Sequence, residues 1–286
     1  MGLNVIITKA SGAKEPFEKN KLSQSLLRAG ASPDLANQIV QEIEANLTDG
    51  ISTKRIYKRA HRRLSKVERT VAGRYHLKNG IMELGPSGFP FEKYVSEILA
   101  HQGYAVQAGK IIEGKCVKHE VDVIAEKNEQ HFMIECKYHN SPGIFCDVKI
   151  PLYIQARFKD IESQWKLMPG HGGKFHQGWV VTNTRFTTDA VTYGTCAGLK
   201  LVSLDFPKIG SLREMIEETG LYPLTCLTSL TQVEKKSLLI KKIVLCREIC
   251  QHPQYLHELN IPANRIKIIL EEGNQLCHKL IGHDQH

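Results

Sequence analysis

No run of about 18 consecutive apolar residues occurs in this chain, so no segment reads as a membrane-spanning helix. The opening MGLNVIITKASG lacks the charged-then-apolar layout of a secretory leader. A cytoplasmic protein with no membrane partner is the expectation. Myristoylation at Gly2 is excluded because Ile6 stands where that motif needs Ser or Thr. Eight cysteines are present, but none forms a CxxC pair or has a His partner at zinc-finger spacing. Reduced, mostly buried thiols are therefore expected rather than a disulfide or zinc framework. Internal repeats, low-complexity tracts and zinc-ribbon motifs are also missing.

What remains is long enough, at 286 residues, for two or three domains, each with its own core. The formal net charge of +8 is unevenly placed. Residues 1–80 hold 15 Lys/Arg against 7 Asp/Glu, and the rest of the chain is balanced. Such asymmetry points to a polyanionic partner for the N-terminal part, although solubility alone also accounts for it.

Three segments separate by pattern. In the first, 1–84, the strand VIIT leads through a Gly-containing turn into helices, with Ser32-Pro33 and Ser52 as helix starts. In the second, 85–210, the turn GPSG precedes a helix over 89–102. Strand-like runs then follow at YAVQ, EVDVIA, HFMIECK, GWVVTN and LKLVSLD, with helices near 151–166 and 187–197. This order predicts an α/β fold, centred on 86–206, with a mixed sheet flanked by helices. The third segment, 211–286, reads as a small helical module with a capping box at Thr231 to Glu234.

Strand alternation puts Glu135 and Lys137 on one face. Asp122 comes beside Glu135 if its strand pairs with the next as a hairpin turning near Lys127 to Gln130. Two carboxylates so placed repel, and a divalent cation neutralises them. Mg²⁺ (or Mn²⁺) suits such oxygen ligands, and a neighbouring lysine orients an attacking water, which describes phosphodiester hydrolysis. Taken alone, E-x-K equally describes a surface ion pair.

Phe91-Glu92 on a helix, Gly103-Tyr104, VDVIA, MIECKYH, a helix bearing Gln155, GWVVTNTRFTTDA and LKLVSLD follow in order over about 88–206. This array resembles the Mrr-type branch of the PD-(D/E)XK restriction-endonuclease-like nucleases. The resemblance implies Asp122 and Glu135 as metal ligands, Lys137 as the water-positioning group, Glu92 as support from the first helix and Gln155 as a further catalytic polar residue. The segment Lys118-His119-Glu120-Val121 departs from the usual glycine-containing run before the catalytic Asp. His139 reads as an ordinary polar residue outside the catalytic set.

The segment VIITKASGAKEPFEKNKL, with Ser52 to Ile56 and AGRYHL, resembles the ATP-cone domain through about residue 80. That likeness implies ATP or dATP as a regulatory ligand, with Val5, Lys9, Lys14 and Lys21 at the nucleotide. Ala10 and Ser11 depart from the Arg and Asp frequent there. Lys54, Arg55, Lys58, Arg59, Arg62, Arg63 and Lys66 form a basic stripe opposite Ile56, Ala60 and Leu64, with no acid between Ile51 and Val67. A DNA backbone is the expected partner, a solvated face or self-association through the cones the alternatives. The C-terminal segment resembles a helix-hairpin module without its glycine hairpin. The whole reads as a homo-oligomeric, nucleotide-regulated Mg-dependent DNA endonuclease; the alternative is a nucleotide-responsive DNA-binding protein on an inactive nuclease fold.

Overall fold

A computed structural model of the chain describes residues 5–169 and 176–278. It divides into two units, one made of 1–81 with 220–286 and the other of 82–219.

In the first unit an antiparallel hairpin joins β1 (Ile6–Thr8) to β2 (Lys14–Pro16), with Gly12 at φ +84° closing the turn. That left-handed backbone favours glycine. Five helices follow: α1 (Lys19–Arg28), α2 (Pro33–Glu44), α3 (Thr53–Val67), α4 (Arg69–Tyr75) and α5 (Leu77–Met82). The Ser32 side chain accepts from Leu35 N–H and Ser52 from Arg55 N–H, as the sequence predicts. Leu26, Ile39, Ile43, Ile56, Leu64 and Val71 share one core. In α3 the inward stripe Ile56, Ala60 and Leu64 leaves the cations outward.

The C-terminal part of this unit runs from a 3-10 turn (Leu224–Cys226) through α10 (Gln232–Ile240), α11 (Cys246–Gln251), α12 (Gln254–His257) and α13 (Ala263–Cys277). It packs on α4 and α5. Thr225 Oγ1 donates to Gly80 O at 2.6 Å and Thr70 Oγ1 to Gln275 Oε1 at 2.6 Å. A Cβ on Gly80 would lie 2.7 Å from Cys226 Sγ, so the approach requires the bare glycine. Thr231 and Glu234 form the predicted capping box. The run SLLIKKIVLCREIC breaks between α10 and α11, where Lys242 takes φ +62° in place of a hairpin glycine.

In the second unit α6 (Phe89–His101) precedes β3 (Ala105–Glu113), β4 (Lys118–Lys127) and β5 (Gln130–Lys137). Then come β6 (Phe145–Cys146), α7 (Lys149–Trp165), β7 (His176–Thr182), β8 (Arg185–Phe186), α8 (Thr188–Cys196), β9 (Lys200–Val202) and α9 (Leu212–Thr219). The five-stranded sheet has the order β3-β4-β5-β7-β9. β3, β4 and β5 pair antiparallel, whereas β5, β7 and β9 run parallel. Asn128 and Glu129, both at positive φ, make the tight β4–β5 turn expected near Lys127 to Gln130. Residues from α7, including Ile154, Phe158 and Ile161, pack with Val121, Met133 and Val180 of the sheet.

The predicted α/β class holds, with the mixed sheet flanked by helices. The segment boundaries read from the sequence differ from the packing: α9 belongs with 82–219, and residues from Gly220 onward pack with the N-terminal helices. Tertiary contacts such as Thr225 to Gly80 have no local sequence signature.

Candidate active site

Regular pairing of β4 with β5 ends at Val123↔Ile134. One residue further, the Asp122 carboxylate accepts the Cys136 N–H at 2.7 Å, and β4 stays paired to β3 through Val121↔Lys110 and Glu120↔Ile111. The strands part here, and β5 continues along β7 with Glu135 opposite Val180 and Lys137 opposite Thr182.

Burial is the main force raising the Asp122 carboxyl above its ordinary value, helped by the Glu120 charge and opposed by the Cys136 hydrogen bond, Arg157 and Lys137. Glu135 is also raised, first by burial and then by Asp122, against the pull of Arg157 and Lys137. The two carboxylates are therefore close enough to feel each other, with Lys137 and Arg157 within range of both. Glu92, in the first turn of α6, is pushed up to about 7 by burial and then by Asp122, Glu135 and Glu120. A Cβ on Gly88 would meet Glu92 Oε1 at 2.9 Å, so the small residue leaves room for that carboxylate.

Arg157 is absent from the residues singled out in the sequence. Its Nη1 donates to Glu135 Oε2 at 2.8 Å and its Nη2 donates to Glu120 O. Both side chains of the ion pair are largely buried, at 11% and 19% exposure. A guanidinium's fork geometry lets one side chain tie β4 to β5 where their ladder has ended.

Gln155 lies two residues earlier on α7, roughly 200° round the helix from Arg157. Its Nε2 donates to Ala197 O at 3.2 Å, and its buried Oε1 has no hydrogen-bond partner among the described residues. The structure thus joins Glu92, Asp122, Glu135 and Lys137, and directs Gln155 toward the end of α8. His119 bonds Asp160 at 2.8 Å, a contact that leads in holding Asp160 down to about 2. His139 is held by Thr184 and Asn183.

At the hairpin of the other unit, Lys9 pairs with Glu15 at 2.5 Å and Lys21 with Glu18 at 2.7 Å. Val5 is buried and Lys14 exposed. Of the basic stripe, Arg59 donates to Asn46 O at 2.8 Å and Arg63 pairs with Glu42 at 3.1 Å, tying α3 to α2. Lys54, Arg55, Lys58, Arg62 and Lys66 are exposed. Among the described residues no helix is long and apolar enough to cross a membrane.

A five-stranded mixed sheet with acids and a lysine at a fork defines a restriction-endonuclease-like domain, and the family comparisons agree. The restriction endonuclease model matches residues 86–206, the ATP cone domain model 5–77 and the AF1548-like C-terminal model 222–277. An uncharacterized protein of Archaeoglobus fulgidus is 32% identical over 186 residues, 64% of this chain and 99% of that one. The crystal structure of AF1548, a protein of unknown function, is 30% identical at a TM-score of 0.54, covering 67% of this chain and 98% of its own. The chain belongs to this AF1548-like family and carries an ATP cone ahead of an Mrr-type restriction endonuclease domain. The endonuclease domain supports a nuclease, and the cone supports nucleotide binding.

Proposed function

We propose that the chain is a divalent-metal-dependent DNA endonuclease governed by ATP or dATP at its cone. The observation that carries this reading is the strand fork, where half-buried Asp122 and Glu135 both have raised proton affinity beside Lys137, Asp122 through burial and the Glu120 charge and Glu135 through burial and the Asp122 charge. Their oxygen donors fit Mg²⁺ or Mn²⁺, a hard ion that needs only one or two protein carboxylates. Among the described residues no group of three or more His, Cys, Asp or Glu forms a fuller cage. When bound, such an ion supplies polarisation of the phosphate and a more acidic water.

The chain's own groups do the rest. Lys137 donates to the attacking water and fixes its direction. Glu92, at about 7, holds or releases a proton near neutral pH. Arg157 orients Glu135 through Oε2 and leaves Oε1 for the ion. Gln155 seats α7 against Ala197. Lys54, Arg55, Lys58, Arg62 and Lys66 hold the DNA backbone, and Lys9, Lys14 and Lys21 with Val5 receive the nucleotide. We also propose a cytoplasmic homo-oligomer.

The Arg157–Glu135 pair favours a second reading, because a guanidinium already neutralises one carboxylate: a nucleotide-responsive DNA-binding protein on a silent nuclease fold. Incubating plasmid DNA with the protein in Mg²⁺, Mn²⁺ or chelator, with and without ATP or dATP, separates the two. Metal-dependent nicking supports the nuclease. A mobility shift without cutting in either metal supports the second reading.

A further inference from the structure

In the unit formed by 1–81 and 220–286, a cleft of about 560 Å³ opens between α3–α4 and the C-terminal helices. That volume lies within the roughly 300–1,000 Å³ usual for small-molecule sites. His61 and His76 line it, their ring centroids 5.1 Å apart. Tyr57 stacks on His61 at 5.6 Å and on Tyr75 at 5.3 Å, so the imidazoles end an aromatic column that faces the cleft.

Cations and hydroxyls line both sides of the cleft. Arg69, Arg265 and Lys235 line the cleft with Ser65 and Ser229, and no Asp or Glu is among the described lining residues. Arg265 uses two donors on Glu234, at 2.7 and 2.9 Å, and one on Ser229 O, at 2.9 Å, out of the five a guanidinium offers. Arg69 is exposed at the rim. Ser229 Oγ is buried with no hydrogen-bond partner among the described residues, an arrangement that a ligand oxygen would complete. Nearby Glu272 is committed to Thr228 and Ser229 N–H groups at 2.7 and 2.9 Å.

We propose that this cleft binds a nucleotide-sized phosphate ester, with the flat ring against His61 and His76 and the phosphate on Arg69 and Arg265. The site is separate from the hairpin: Lys9 and Lys21 do not line it. Because it is built from the cone's last helices and the C-terminal module together, its ligand would bridge those two segments of one unit.

The test is ATP titration of the full chain by calorimetry, with histidine resonances followed by NMR. The Lys9→Ala/Lys21→Ala variant should still bind one ATP and shift the His61 and His76 signals. Adding Arg69→Ala, a change at an exposed position, should weaken that binding about tenfold, as expected for loss of a charge-assisted contact. Ser229→Ala should weaken it as well, while inorganic pyrophosphate, lacking a ring, should bind less tightly than ATP. Loss of all ATP binding in Lys9→Ala/Lys21→Ala overturns the proposal. So does unchanged affinity in both the Arg69→Ala and Ser229→Ala variants, or histidine signals that do not move.

Discussion

Among single residues, Arg157 decides how the fork is held. Its two contacts replace the backbone ladder lost after Val123, and they draw the Glu135 carboxylate down against the burial that raises it. Arg157→Ala should cost about 2 kcal/mol of stability, as for a lost hydrogen bond to a charged group. Glu135 should then hold its proton to higher pH, moving the acid limb of the cleavage–pH profile upward. A melting curve and a pH–rate profile read the two effects. Glu92 makes the complementary prediction. Its carboxyl titrates near 4.5 when unfolded and at about 7 in the folded chain. The native state therefore holds more protons between those values, so its contribution to stability is full below pH 4.5 and is lost as pH rises to about 7. In chelator the Tm should fall over that window, and Glu92→Gln should flatten the fall. Mg²⁺ favours the charged carboxylates, so it should raise the Tm more at about pH 8 than at about pH 5. Equal stabilisation at both would contradict the assignment.

At the scale of elements, the β4–β5 hairpin shows what was readable and why. Alternation in VDVIA and MIECK marks both strands, and their connection is short enough to force adjacency, so Asp122 beside Glu135 follows from local pattern. The end of pairing at Val123 does not, because it depends on a side chain replacing a carbonyl. Nor does Arg157, 22 residues from Glu135, which reaches it only once α7 has packed on the sheet. Gln155, singled out by family likeness, lies on a different side of the same helix; helix phase gives that separation, but which side faces the fork is fixed only once α7 has packed. Two-residue β6 and β8 carry too little pattern to be read at all. The turn itself offers a test. Glu129 sits at φ +59°, where a side chain is strained, and the preceding Asn128 already suits a type I′ turn. Glu129→Gly should raise stability by about 0.5–1 kcal/mol, visible as a higher Tm.

For the whole molecule the question is how charge is deployed. Net positive charge is concentrated in the N-terminal 80 residues, and α3 displays it on its outer side. Arg59 and Arg63 are half-buried and serve α2, which leaves Lys54, Arg55, Lys58, Arg62 and Lys66 for an outside partner. If all five neutralise phosphates, log K for DNA should fall with log salt at a slope of roughly −4 to −5, by about 0.9 per contact. Replacing Lys58, Arg62 and Lys66 with glutamine should reduce the slope to roughly −2. An unchanged slope would assign the helix to another role. The proposed control by nucleotide at the cone requires a difference in nucleotide affinity between two states of the chain.

The account rests on the fork acting as a phosphodiester-cleaving centre, and plasmid nicking by Asp122→Ala and Lys137→Ala proteins in Mg²⁺ or Mn²⁺ tests it most directly. Both variants should still fold cooperatively, Asp122→Ala with a lower Tm because the Cys136 N–H loses its acceptor, yet lose cutting by at least about a hundredfold, the low end of what a positioned catalytic group contributes. Nicking at the wild-type rate by either folded variant would contradict it.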